Sequence, residues 1–598
     1  MINKVVSTLL LVFLIPAAGF SQDRIPSPHT PVETVFQQID RAYQQGDLTL
    51  DQAMLQKFYV VFDPDKAMSA FLPADGQINT RCLTPLMSEY ERYKDEISPG
   101  VKAELAPYIQ RACGNRSETE FSYITESGRF IIYYDTTETA HSVPPEDTDG
   151  NGIPDFVEHT AFAVDSTWNH LFGTLGFADP VIDAATPYEI RYFDLGTNTY
   201  GLTCVDPQGP GTFIVMHNNF EDFPENNHPA GNSIGALYAT SAHELKHASQ
   251  YTTNRWEGDA GSFAWTEMDA TMIEDIIFGD VNDNLQFLRA NDDPAVPGFS
   301  SIFGNPGSPI PVAYDHFTWK LYFSEKIGME FWVDVWEQFK DEPEKEFIKA
   351  MRESLNRYDS TFEKEHIENI SWHFASGPEY SGADFGFKRR DLYPNPTFNW
   401  IFDFLPDSTS IATALRPLAG NFIIVRPDGF ESGNARITAN FDREGVDIAL
   451  LGFFSDGRVD FLKKAGTGTR SVLETRWLWE DLQKLGVVLI NREEPEGESI
   501  RYTLQAESVI PEEITLFQNY PNPFNPATNI QFYVNRSQGV RIDIFDILGR
   551  HVRTLTDRDY LQGHHNLSFE ARDLASGVYI YRLTAGNQRA SKKMMLIK

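Results

Sequence analysis

Apolar residues recur near helical spacing from Val32 to Tyr43 and again from Ala53 to Val61, so residues 22–120 read as mainly helical. Residues 121–397 alternate between short β-prone runs and longer helical ones, the pattern of an α+β domain. From about residue 398 the runs turn strand-like, in Asn421-Phe422-Ile423-Ile424-Val425, Val446-Asp447-Ile448-Ala449-Leu450-Leu451 and Gly486-Val487-Val488-Leu489-Ile490. A β-rich domain at 398–510 follows from this, with Pro511 marking a linker. Beyond it, Asn529–Val534, Val540–Phe545 and Val578–Leu583 are β-prone and largely alternating. Turns at Leu548-Gly549-Arg550 and Ala575-Ser576-Gly577 separate them, which predicts a small sandwich at 511–598. No internal repeat or low-complexity stretch interrupts this order.

One run alone is long and apolar enough to suggest a membrane segment, and it lies at the N-terminus. Lys4 is followed by the apolar Val5–Ile15, too short to span a bilayer, and Gly19-Phe20-Ser21 places small residues at a cleavage site before Gln22. Residues 1–21 read as a signal peptide, and the mature chain is expected to have no transmembrane segment. Export permits disulfides. The expected pair is Cys82 with Cys113, leaving Cys204 free; alternatively Cys82, in Thr80-Arg81-Cys82, caps a metal in a latent form.

The 598 residues correspond to about four domains at the usual size. An apolar fraction of 41% and an aromatic fraction of 13% exclude a disordered or collagen-like chain. Three cysteines exclude a disulfide-rich scaffold. Asp plus Glu number 85 against 50 Lys plus Arg, a formal net charge of −35, which excludes a binder of nucleic-acid backbones.

Two motifs carry chemistry. Ser241-Ala242-His243-Glu244-Leu245-Lys246-His247 holds H-E-x-x-H in a stretch that reads as helix from Ile234 onward. One helical turn puts His243 and His247 on one face, where two imidazoles hold a Zn²⁺ ion. Glu244 then lies beside the open position, as a general base toward water and an acid toward a leaving amine. A second helix over Ser262–Phe278 carries Glu267, 20 residues after His247, as a third ligand, and Glu274 on the same face to orient a ligand. The second motif, Asp147 to Glu158, fits the twelve-residue Ca²⁺ loop. Asp147, Asp149, Asn151, Asp155 and Glu158 supply side-chain oxygens, Ile153 its carbonyl, and Gly152 the sharp turn. Pro154 departs from a paired EF-hand, and no second loop is present, so a solitary structural site is expected.

The zinc motif with Glu267 resembles the gluzincin metallopeptidases. The stretch Trp265-Thr266-Glu267-Met268-Asp269-Ala270-Thr271 to Asp275 is similar to a family of exported bacterial metalloproteases of that type. The well-studied members often carry Asp four residues after the third ligand; here that position is Thr271, and Glu274 or Asp275 is the candidate replacement. The resemblance implies an edge strand that pairs with substrate, for which Gly211–Met216 is the candidate, and an oxyanion stabiliser, for which Tyr314 and His316 are candidates. At the other end, Gln518-Asn519-Tyr520-Pro521-Asn522-Pro523-Phe524-Asn525-Pro526, Ile544–Arg550, Leu574–Tyr579 and the Lys-rich terminus resemble the sorting domain of type IX secretion. That implies a protein carried through the periplasm to the outer surface or beyond, with the secretion machinery as partner.

The combined expectation is a zincin-like metalloprotease domain, an all-β domain and an Ig-like β-sandwich sorting domain. Its function is expected to be that of a secreted zinc endopeptidase with structural calcium, acting on protein or peptide, with residues 22–120 a candidate pro-segment. Two alternatives stand beside it: a non-catalytic surface adhesin on a protease-like scaffold, and a zinc amidase acting on a non-protein substrate. The retained Glu244 argues against the adhesin.

Overall fold

The computed structural model describes residues 30–72, 78–114, 121–137, 140–180, 186–196, 199–292, 298–299, 314–380, 385–402, 409–428, 433–493, 500–509 and 513–598. The expected signal peptide and Pro511 lie outside them. The chain divides into two compact units, Met1–Thr80 and Arg81–Lys598, so the division falls inside the segment 22–120.

In the first unit, strand β1 (Thr30–Pro31) leads into helix α1 (Val32–Gln44), followed by α2 (Leu50–Phe62) and β2 (Ile78–Asn79), which pairs parallel with β1. Helix α1 buries Val35, Phe36 and Ile39, the apolar stripe read from its spacing. Helix α2 starts at a capping box: Thr49 Oγ1 accepts from Gln52 N (3.2 Å) and Thr49 N donates to Gln52 Oε1 (2.9 Å).

The second unit begins with helices α3 (Thr84–Tyr93) and α4 (Pro99–Ile109). Five strands follow around a helix: β3 (Phe121–Ile124), β4 (Phe130–Tyr134), α5 (Asp155–Trp168), β5 (Tyr188–Phe193), β6 (Gly201–Val205) and β7 (Thr212–His217). They form one sheet in the order β3-β4-β5-β7-β6, with β4, β5 and β7 parallel and β3 and β6 antiparallel to their neighbours. The expected edge strand at Gly211–Met216 is therefore corrected. Those residues form β7, between β5 and β6 and buried along its length, and the edge is β6. A continuous apolar run suits a central strand covered on both faces better than an edge.

Helix α6 (Asn232–Asn254) packs against β6 and β7 and pairs with α7 (Phe263–Phe278). Nineteen of its 23 residues are buried, so it is a central helix covered nearly all round. It stops where Arg255 turns into the left-handed region (φ 59°). Helices α8 (Phe317–Lys326), α9 (Glu330–Asp341), α10 (Phe347–Leu355) and α11 (Phe362–Phe374) complete an aromatic-rich core with Trp265, Trp319, Trp332 and Trp336.

The expected Cys82–Cys113 pair is also corrected. Cys113 is bonded to Cys204, with Cα atoms 5.9 Å apart, and Cys82 is free and buried. The alternation of side chains along β6 gives the reason. Thr203 turns toward α6, where its hydroxyl meets Glu244, so its neighbour Cys204 faces the other side of the sheet.

Residues 400–509 form two sheets over a shared core that includes Ile423, Ile437, Val446, Leu485 and Tyr502. One has five strands (Val459–Lys464, Val446–Phe454, Leu482–Asn491, Gly420–Val425, Trp400–Phe402) and the other four (Arg470–Leu478, Asn434–Phe441, Ile500–Val509, Thr409–Leu415). The C-terminal region is likewise two sheets, of three and four strands, closed over Ile530, Phe532, Ile542, Ile544, Tyr581 and Leu583.

Candidate metal centre

Helix α6 projects His243 and His247 from successive turns, and α7 brings Glu267 against both. The ring nitrogens His243 Nε2 and His247 Nε2 are 3.1 Å apart. Glu267 Oε2 is 3.1 Å from the first and its Oε1 3.0 Å from the second. The outer ring nitrogens explain why this crowding is informative. His243 Nδ1 donates to Glu274 Oε1 at 2.7 Å. His247 Nδ1 donates to Gln250 Oε1 at 2.8 Å, since the amide of Gln250 is oriented by Nε2 donating to the Thr266 carbonyl (3.1 Å). With both Nδ1 atoms protonated, both Nε2 atoms turn lone pairs toward a carboxylate.

Three acceptors thus face one another in a buried space, and no hydrogen bond reaches Glu267 Oε1. Like partial charges held this close need a cation between them. Tetrahedral zinc with ligands at about 2.0–2.1 Å would set those ligands about 3.3 Å apart, near the observed spacings. The donor set fits zinc, and His243, His247 and Glu267 are the residues that would hold it. Of the two candidate replacements for the missing Asp at Thr271, Glu274 is the one that meets His243; Asp275 instead pairs with Arg389 at 2.9 Å.

Protons compete with a metal for the same place. Burial alone pulls the His243 imidazolium down, but Glu267 and Glu274 outweigh it and raise its pKa to about 10. Burial opposes ionisation of Glu267, yet the two imidazoles hold its carboxyl well below the usual range. The cluster favours positive charge at its centre.

Glu244 is completely buried beside it. Its Oε2 accepts from the hydroxyls of Thr203 (2.8 Å) and Thr84 (3.0 Å), and its Oε1 lies 3.3 Å from Cys82 Sγ. Cys82 Sγ and ligand atoms of His243, His247 and Glu267 all lie within 4.8 Å of one another. Burial, reinforced by Glu244 and Glu267, pushes the Cys82 thiol pKa well up. Arg81 is buried next to it and joins Glu274 Oε2 at 2.6 Å. Sequence reasoning missed Thr84, Thr203 and Gln250, and named Arg81 only as the neighbour of Cys82. Only Gln250 had a signal, lying three residues after His247 on one helix.

Tyr314 reaches the site, its ring 6.1 Å from that of His243 and nearly parallel to it. His316 is packed edge-on against Phe299 at 5.0 Å and pairs with Asp315 at 3.3 Å. The loop before α5 is folded around Asp147, whose oxygens accept from the backbone of Gly150, Asn151 and Gly152 at 2.8–3.1 Å. Gly150 and Gly152 take left-handed conformations (φ 74° and 87°). Asn151 Nδ2 donates to Glu158 Oε1 at 2.7 Å, bringing those two together, while the Asp155 carboxylate accepts from Thr148. Among the described residues, the cluster at His243 is the one group of His, Cys, Asp and Glu with ligand atoms in mutual reach.

Residues 518–598 match the family model described as a secretion system C-terminal sorting domain. This is the tail of type IX secretion: it implies interaction with that machinery and export to the cell surface or extracellular space. No helix among the described residues is long and apolar enough to cross a membrane. No curated protein matches the chain. Among solved structures, partial likenesses include PorZ of Porphyromonas gingivalis (19% identity, 18% of this chain and 15% of that one, TM-score 0.12). Others are a Faecalibacterium prausnitzii β-glucuronidase (10% identity, 30% and 37%, TM-score 0.13) and dimeric latent PorU of P. gingivalis (16% identity, 32% and 20%, TM-score 0.14). The chain thus spans well under half the length of each of these structures, and the scores fall far short of a common fold.

Proposed function

We propose that the chain is an exported zinc-dependent endopeptidase. The observation that carries this reading is the convergence of two imidazole lone pairs and the Glu267 carboxylate, with Glu244 alongside. His243, His247 and Glu267 hold the metal. Zinc, when bound, supplies Lewis acidity that polarises a carbonyl and eases deprotonation of water. Glu244 takes the proton from the attacking water and returns it to the departing amine. Thr203 fixes one oxygen of Glu244 and so aims the other. Glu274 and Gln250 lock the ring tautomers that leave both Nε2 atoms free to ligate. Tyr314, whose ring lies 6.1 Å from that of His243, donates to the oxyanion that develops on the scissile carbonyl. An extended peptide adds as a strand along β6. Asp147, Asp149, Asn151, Asp155, Glu158 and the Ile153 carbonyl are the residues that would hold calcium, which would supply a brace at the start of α5 once their oxygens turned inward.

The test is cleavage of a diverse peptide mixture, with new termini identified by mass spectrometry. Zinc-loaded full chain and Cys82→Ala are compared, each with and without Glu244→Gln. Cleavage that needs Glu244 supports the reading. No cleavage by folded, zinc-loaded protein, with Cys82 present or replaced, would overturn it.

A further inference from the structure

A zinc peptidase needs one coordination position and one sheet edge left for substrate. In this chain its own residues 81–84 occupy both places. Cys82 is buried, outside the disulfide, and its sulfur stands among the ligand atoms of His243, His247 and Glu267. The same cluster contains the buried Glu267 Oε1 that no hydrogen bond reaches. Backbone from Arg81 to Leu83 lies along β6, parallel to it, with Cys82 opposite Gly201. Tyr200 N donates to the Arg81 carbonyl (2.7 Å) and Leu83 N to the Gly201 carbonyl (3.2 Å). Thr84 Oγ1 accepts from Thr203 N at 2.7 Å and donates to Glu244. Gly201 leaves the crossing tight: a Cβ there would lie 2.9 Å from Thr240 Cγ2 and 3.2 Å from Glu244 Oε1.

Arg81 locks the segment in place. Its guanidinium binds the free oxygen of Glu274, the carboxylate that orients His243, and stacks on Tyr200 and Phe287 at 4.5 and 4.2 Å. The inhibiting strand and the metal ligands therefore share one hydrogen-bonded network.

We propose that Cys82 is the fourth ligand of the zinc centre and that Arg81–Thr84 is a built-in strand holding the enzyme latent. This rests on the zinc-peptidase reading above. Binding the sulfur as a thiolate would release the S–H proton, and the Glu244 carboxylate, 3.3 Å from the sulfur, is the acceptor beside it. A single contact thus removes the position needed by water and the base that would activate it. Displacing the segment, or modifying the thiol, returns both.

The test uses full chain loaded with cobalt(II) in place of zinc, without reductant so that Cys113–Cys204 persists. Wild type is expected to show a thiolate-to-cobalt charge-transfer band in the near ultraviolet. Cys82→Ala and the conservative Cys82→Ser are expected to lose that band while keeping the visible bands of bound cobalt. In the zinc forms, peptide cleavage rises at least about tenfold in Cys82→Ala, as when nine-tenths of the molecules are capped. Visible cobalt bands without a thiolate band in wild type would overturn the cap and leave the zinc site standing. Failure of all three folded proteins to bind cobalt would overturn the zinc reading and the cap with it.

Discussion

Two charged clusters bridge the same helix pair, α6 and α7, and they are built on opposite rules. In one, Lys320 Nζ donates to Asp269 Oδ1 (2.6 Å) and the Trp265 carbonyl (2.9 Å). Trp336 Nε1 donates to Asp269 Oδ2, and Lys246 sits 3.9 Å from that oxygen with its ammonium over the Phe177 ring (3.8 Å). Every oxygen of Asp269 meets a donor. In the other cluster His243, His247 and Glu267 turn acceptors toward one another. Both groups are buried and both have perturbed acid–base behaviour, so burial of charge does not distinguish them. The balance of donors and acceptors does: the first cluster is closed by the chain's own donors, and the second needs a proton or a metal cation between its acceptors.

That contrast can be broken by substitution, and the largest effect falls on catalysis. Glu244→Gln, measured in the Cys82→Ala background, is expected to lower peptide cleavage by about 10²–10⁴-fold while zinc content stays unchanged. Loss of zinc in this variant would place Glu244 in the metal's support instead. Next, Lys320→Met deprives buried Asp269 of its closest charged donor. Denaturant unfolding should show a loss of about 3–5 kcal/mol with zinc binding intact, the signature of a purely structural pair. A smaller effect is expected for Glu274→Gln, which keeps the shape but weakens the hold on His243. Competition with a chromogenic chelator should read an affinity for zinc lower by about 10–100-fold. An unchanged affinity would remove Glu274 from the metal's support.

The smallest effect is a pH slope. Burial outweighs the attraction of Asp269 and lowers the pKa of Lys246 to about 7 and of Lys320 to about 8, from an ordinary 10.5. Across that window the unfolded chain binds more protons than the folded one, so this cluster's contribution to stability grows as pH rises from about 7 toward 10.5. Lys246→Met removes one of the two disfavoured charges. Its melting temperature near neutral pH should equal or exceed that of wild type, and its rise toward alkaline pH should be shallower. An identical slope in both proteins would mean that Lys246 is not the source.

Legibility in the sequence followed the range of the interactions. His243, His247 and Glu244 could be placed because helix geometry converts spacing into direction within a few residues. Glu274 could be placed on the ligand face of its own helix, seven residues after Glu267, and it meets His243 through Nδ1. The four C-terminal motifs marked the sorting tail because they lie in order within one short domain. Cys82 and Thr84 meet Glu244 from 162 and 160 residues away, and no local pattern encodes such a meeting. Three cysteines in order do not specify their pairing; that depends on which face of β6 Cys204 takes. The edge strand was misread because the stronger apolar run, Gly211–Met216, is the one buried on both faces, while the true edge contains Gly201 and Thr203, chosen for close approach to α6.

The most direct test is the zinc content of folded protein after dialysis against buffered zinc, measured by elemental mass spectrometry. Full chain is set beside His243→Ala/His247→Ala and Lys320→Met. The account predicts one zinc per chain in wild type and in Lys320→Met, and none in the double histidine variant. Folded wild type without zinc, or a double variant that keeps it, would contradict the account.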